Sequence, residues 1–194
     1  MSDPTRSGAA SAIPGVRWGS AARHGDDRGS FRELWRAGWF TDLAAIDGQS
    51  RFVQANLSVS AEGVLRGLHF HRRQLDFWVV ADGRAWVALV DARPLLSGTG
   101  DRPIVETREV AADATVTIPA GVAHGFLALE PLQLAYFVTA EYDGTDELGF
   151  AWDDPLAAIP WPVVPGMRDG RPILSGRDRA NPSLAQLVER LRAE

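Results

Sequence analysis

From Ile13 to about Trp161 the chain is a succession of short runs rich in β-branched and aromatic residues, each cut off by Gly, Asp or Pro. The clearest runs are 51–60, 77–81, 84–91, 104–110, 115–118, 124–129 and 132–142, and Asp82-Gly83 between two of them is a hairpin-turn signal. Strands so short and so closely spaced leave no room for crossover helices, so the pattern predicts an all-β sandwich or barrel. Helix signals are confined to the ends. Residues 31–40 read as a short helix, and Ser183-Leu-Ala-Gln186 reads as a capping box opening a terminal helix with Leu184, Leu187, Val188 and Leu191 on its apolar stripe. A length of 194 residues with no internal repeat suits one domain. The expected division is a disordered tail over 1–12, a β domain over 13–182 and a helix over 183–194, with the Pro- and Gly-rich stretch 152–182 wrapping the barrel or covering its mouth.

Three of the four histidines fall at telling places in this pattern. In Gly63-Val-Leu-Arg-Gly-Leu-His69-Phe-His71, residues two apart on a strand project to one face, so His69 and His71 point together and Phe70 points away. Asp76 opens the next apolar run, which returns antiparallel and brings its carboxylate near the imidazoles. His124 follows Pro119-Ala-Gly-Val-Ala. Together His69, His71, Asp76 and His124 form a three-imidazole, one-carboxylate set that suits a divalent transition metal such as Zn, Fe, Mn, Ni or Cu and leaves positions open for a substrate. The alternative is a hydrogen-bonded histidine cluster without metal. His24, beside Gly25-Asp26-Asp27, reads as a surface residue.

Composition closes several routes. There is no cysteine, and all 20 basic residues are arginine, so disulfides, thiolate chemistry and lysine Schiff bases are excluded together. A net charge of -5 and no basic run longer than Arg72-Arg73 argue against nucleic acid as a partner. No apolar run approaches the roughly 18 residues of a membrane span, so a soluble cytoplasmic protein without membrane partners is expected.

The motifs Asp26-Asp-Arg28-Gly-Ser-Phe31-Arg-Glu33, Gln54-Ala-Asn56, Gly63-Val-Leu-Arg66-Gly-Leu-His69, Ile118-Pro-Ala-Gly-Val-Ala-His124, Tyr136 with Tyr142, Trp152-Asp-Asp-Pro and Leu174-Ser-Gly-Arg-Asp178 are shared with one family. In these the chain resembles the dTDP-4-dehydrorhamnose 3,5-epimerases over almost its full length. The resemblance implies a cupin jelly-roll barrel with short terminal helices, a homodimer, and a nucleoside diphosphate 4-keto-6-deoxyhexose as the small-molecule partner, with no organic cofactor. It implies that His69 is the general base, Asp178 its orienting partner and Tyr136 the proton donor on the opposite face. Arg66 is implied at the diphosphate, and Arg28, Phe31, Glu33, Gln54, Asn56 and Tyr142 around the nucleotide, some of them donated across the dimer. Taken alone, Tyr136 reads as an amphipathic core residue and Asp178 as a solvated charge.

The chain also departs from the family it resembles. Asp76 stands where that family carries the lysine that stabilises the enolate, and His71 replaces a residue that is usually Gln. These two changes complete the metal-cupin pattern G-x5-H-x-H-x4-acid-x6-G from Gly63 to Gly83. The expectation is therefore a metal-assisted epimerase or keto-isomerase, in which a bound metal replaces the ammonium as Lewis acid and His69 becomes a ligand. The alternatives are a metal-dependent oxygenase or hydrolase cupin acting on a non-nucleotide substrate, and a non-catalytic sugar-nucleotide binder.

Overall fold

The structure is a computed structural model that describes residues 8–42 and 51–194. Two five-stranded antiparallel sheets face each other. The strands are β1 (Arg17–Ser20), β2 (Arg23–Asp26), β3 (Gly29–Arg32), β4 (Gln54–Ser60), β5 (Leu65–Phe70), β6 (Asp76–Asp82), β7 (Arg84–Asp91), β8 (Ile104–Ala111), β9 (Ala114–Ile118), β10 (Val122–Ala128), β11 (Leu132–Val138) and β12 (Leu148–Gly149). One sheet runs β1-β9-β6-β11-β4, the other β12-β5-β10-β7-β8, and β2 with β3 forms a separate hairpin. This is the all-β, cupin-type architecture the strand pattern and the resemblance imply. No described helix is long and apolar enough to cross a membrane.

Alternation along the strands fills the space between the sheets. Trp78, Val80, Val87, Leu89, Val116, Ile118, Phe126, Leu132 and Leu134 are all buried in one cluster there. A second cluster covers the outer face of the β5–β10–β7 sheet, where Leu68, Phe70, Ala88, Val90 and Ala123 meet Phe150, Leu184, Leu187 and Val188. The expected capping box forms, with Ser183 and Gln186 exchanging bonds at the start of helix α3 (Leu184–Ala193); helix α1 spans Arg93–Ser97 and α2 spans Gly176–Arg179. The stretch after Phe150 wraps this outer face through Trp152, Leu156, Ile159 and Trp161.

Two local expectations are corrected. Residues 31–40 are not a helix: Phe31 and Arg32 end β3, and only Ala37–Phe40 forms a single 3-10 turn, with Phe40 buried against Leu75, Phe77 and Val79. Residues 8–12, expected in the tail, follow the sheet edge: Gly8 N donates to Trp18 O at 3.0 Å, Ala12 N to Glu106 at 3.1 Å, and Arg108 to Ala10 O at 2.7 Å.

The pairing of β5 with β10 sets the site. His69 stands opposite His124, but Arg66 stands opposite Phe126, so β5 carries one extra residue over this span. Such a bulge re-aims a side chain. It lets Arg66, which has the wrong parity relative to His69, face the same cavity. The close approach behind it depends on glycine on both strands: a Cβ on Gly67 would sit 2.7 Å from Gly125 Cα, and one on Gly125 would sit 2.7 Å from Arg66 O.

Candidate active site

The two sheets part at one end around a cavity of about 490 Å³. One wall is the β5–β10 sheet, which presents Arg66, His69, His124 and Phe126; the facing wall is the β4–β11–β6 sheet, which presents Gln54, Asn56, Ser58, Leu134, Tyr136, Asp76 and Trp78. Tyr136 is directly opposite Asn56 on one side and Trp78 on the other, so all three share the inward face of their sheet. Tyr142, Glu147, Ser175, Arg177 and Asp178 close the rim.

Asp178 enters this cavity from α2. Ser175 caps that helix by accepting from Asp178 N at 3.0 Å, which turns the carboxylate inward, and Asp178 Oδ1 lies 3.0 Å from His69 Nε2. Asp178 is only 4% exposed. Burial would raise its carboxyl, but the hydrogen bond and charge of His69, with Ser175 and Arg177, pull it below the usual carboxylate range. An ionised Asp178 accepts, so Nε2 of His69 carries the proton and Nδ1 is the basic atom. This is an oriented imidazole of the kind general-base catalysis uses.

A second group lies deeper. The ligand atoms of His71, Asp76 and His124 are all within 4.8 Å of one another. His71 Nδ1 is 2.8 Å from Asp146 O and His124 Nδ1 is 3.1 Å from Val122 O. A carbonyl can only accept, so both Nδ1 atoms carry a proton and are taken up by the main chain. Asp76 is held by Gln74 Nε2 on Oδ1 at 2.7 Å and by Trp78 Nε1 on Oδ2 at 3.1 Å, and His124 Nε2 lies 3.7 Å from Oδ2. Burial pushes the His124 imidazole down to about 4, helped by the neighbouring His71 and His69 and opposed by Asp76, so it is neutral at pH 7.

The four-residue metal set is thereby corrected. His71 lies one residue beyond the end of β5, so the two-residue periodicity no longer applies to it; it turns toward Asp146 and Asp76 while His69 turns toward Asp178. The group that could hold a metal is His71, Asp76 and His124, and His69 stands outside it.

Tyr136 has its hydroxyl raised by burial and by the charge of Asp76, with Arg66 opposing, so it stays protonated and can donate. Arg66 is anchored by bonds to Ser60 Oγ at 3.1 Å and Val59 O at 3.2 Å. Gln54 links the rim together, donating to Asn56 Oδ1 at 2.9 Å and accepting from Tyr142 N at 2.9 Å. Arg28, Phe31 and Glu33 do not line the cavity: they sit on or just after the β2–β3 hairpin, where Arg28 pairs with Asp26, Glu33 pairs with Arg36, and Phe31 is 67% exposed. Sequence reasoning missed Glu147, which lies in a polar loop without periodicity and pairs with Arg177 at the rim. It also passed over Ser175, although Ser-x-x-Asp at 175–178 is itself an N-cap signal.

A family model described as dTDP-4-dehydrorhamnose 3,5-epimerase matches residues 10–186. The dTDP-4-dehydrorhamnose 3,5-epimerase of Mycobacterium tuberculosis is 36% identical over 181 residues, which cover 88% of this chain and 84% of that protein. Among solved structures, the dTDP-6-deoxy-D-glucose-3,5-epimerase RmlC of Legionella pneumophila, in complex with dTDP-4-keto-L-rhamnose, superposes with a TM-score of 0.78 at 29% identity, covering 93% of this chain and 94% of that one. NovW of Streptomyces spheroides, a 4-keto-6-deoxy sugar epimerase, gives 0.77 at 30% identity over 94% of this chain and 89% of its own.

Proposed function

The chain belongs to the dTDP-4-dehydrorhamnose 3,5-epimerase family, and from that membership we propose that it inverts a carbon beside the ketone of a dTDP-4-keto-6-deoxyhexose, at C3, C5 or both. The observation that carries this reading is stereochemical. Inversion needs a base and an acid on opposite faces of the sugar ring, and His69 and Tyr136 line one cavity from opposite sheets. His69 Nδ1 takes the proton next to the ketone, and the ionised Asp178 stabilises the imidazolium that forms. The electron pair moves to the carbonyl oxygen, giving an enolate, and Tyr136 returns a proton to the other face of the carbon. Arg66 is suited to the diphosphate, and Gln54, Asn56 and Tyr142 to the nucleotide. The metal-assisted form of the reaction depends on the polar end of the cavity at His71, Asp76 and His124, the place from which the enolate oxygen would draw its positive charge.

The homodimer belongs to the same reading. β4 is an edge strand whose outward residues Leu57 and Val59 are 59% and 65% exposed, with Val53 just before it 38% exposed, an apolar edge of the kind proteins cover by pairing. A second copy laid there would bury that edge, and it offers Arg28, Phe31 and Glu33 a cavity to complete, since they do not reach their own.

The test is solvent exchange. With a dTDP-4-keto-6-deoxyhexose in D2O, the wild-type chain should place deuterium at the inverted carbon, and His69→Asn should slow this by about 10²–10⁴. Tyr136→Phe should still wash deuterium into the substrate, returned on the same face, while forming little epimer. No exchange by the wild-type chain with any such sugar, and no binding of dTDP, would reject the proposal.

A further inference from the structure

His71, Asp76 and His124 form a buried cluster of metal-ligand side chains. One ring nitrogen from each imidazole and a carboxylate oxygen converge within 4.8 Å, each residue is buried, and among the described residues none of their hydrogen bonds or ion pairs comes from an arginine. The chain has no lysine to bring there. A buried carboxylate beside two imidazoles, with no arginine or lysine to pair with, is a place where a bound cation would be stabilised. All three side chains are also held in place from behind: each Nδ1–H donates to a main-chain carbonyl, and each oxygen of Asp76 accepts from Gln74 or Trp78. Imidazoles and carboxylates that bind metals are oriented by outer partners of this type.

We propose that His71 Nε2, His124 Nε2 and the Asp76 carboxylate bind one divalent first-row transition metal ion, and that this ion polarises the sugar carbonyl while His69 stays free as the base. Two imidazoles and one carboxylate with remaining positions open form a donor set used by such ions. With metal–nitrogen and metal–oxygen distances near 2.0–2.2 Å, two ligand atoms at a tetrahedral angle on one ion are about 3.4 Å apart, so binding would close a separation of 4.8 Å by about 1.4 Å, shared between the two side chains. His71, Asp76 and His124 line the same cavity as Tyr136 and His69. The second half of the proposal rests on the epimerase reading above; the first half does not.

The experiment separates the two. The full chain is stripped with a chelator and dialysed against Zn²⁺ or Co²⁺, with metal content, melting temperature and, for Co²⁺, the visible spectrum as readouts. Close to one ion per chain is expected, with a raised melting temperature. His71→Gln and Asp76→Asn should each weaken uptake by at least roughly 10–100-fold, with circular dichroism showing that each variant folds. His69→Asn should take up metal like the wild type. Absence of uptake, or uptake unaffected by both ligand substitutions, overturns the site. Deuterium exchange is then compared in stripped and reloaded protein: loss on stripping and recovery on reloading support the carbonyl role, and equal rates overturn it while leaving the site. One ion per chain with no exchange of any keto-sugar in either form would instead overturn the epimerase reading and keep the metal site.

Discussion

The aim of His69 and Arg66 depends on how closely β5 lies to β10, and Gly125→Ala tests that dependence. Gly125 has an ordinary φ, so the added methyl probes space alone. Its Cβ would lie 2.7 Å from Arg66 O, 3.2 Å from Gly67 Cα and 3.3 Å from Leu68 Cδ1, where ordinary contact begins near 3.4 Å. The closest obstacle is main chain, not the end of a flexible side chain, so β5 itself must retreat by about 0.7 Å at Arg66, and overpacking of this kind costs about 1–3 kcal/mol. A misplacement of about 1 Å in a reacting group can cost 10²-fold in rate, so a loss of roughly tenfold or more in solvent exchange is expected. Urea unfolding at one fixed protein concentration gives the first quantity and deuterium incorporation from D2O the second. Gly38→Ala, whose Cβ would meet nothing within 4 Å, is the control. If Gly125→Ala is as stable and as active as that control, the close approach does not position the site; if it is destabilised yet fully active, packing and aim are separate.

Two further outcomes are expected. Leu57→Lys places a charge on the exposed edge of β4, so wild-type chain should sediment as a dimer at micromolar concentration and the variant as a monomer; a monomeric wild type would remove the dimer. Asp113 accepts from Arg23 Nε at 2.9 Å and from Arg32; burial raises its carboxyl, but these two arginines outweigh it and hold the folded value below the unfolded one near 3.9. The unfolded chain therefore binds the proton first as pH falls, and the stabilisation, of order 1 kcal/mol, is present above about pH 4 and lost through the lower folded value. The stability difference between wild type and Asp113→Asn should be level from pH 7 to 5 and shrink toward pH 3; a difference that stays level to pH 3 would refute the assignment.

Most of the barrel was legible because burial on one face leaves a period of two in the sequence. β6 and β7 could be read with the Asp82-Gly83 turn between them, and α3 could be read from its capping box and apolar stripe. β2 and β3 were not legible, since every residue of β2 is exposed and β3 buries none fully, so no alternation marks them. The Gly67 bulge was foreseeable only because Arg66 and His69 have opposite parity and both were assigned to one cavity.

The histidines show where such reading stops. His69 and His71 share a face only if the strand continues through both, and β5 ends at Phe70. What ends it is the chain's turn toward the 140–147 loop, whose Asp146 accepts from the backbone N of Arg72 and Arg73 at 3.1 Å and 2.9 Å through its side chain, and from His71 through its carbonyl. That partner is over seventy residues away in sequence, and no local period encodes it. The consequence is chemical. A shell of all four residues would have made His69 a ligand and left the proposed epimerisation without the base assigned to it, whereas the observed split gives His69 to Asp178 and leaves two imidazoles and a carboxylate together. An aspartate at position 76 and an imidazole at position 69 held by Asp178 thus coexist in one cavity, because a strand ends between two histidines two positions apart.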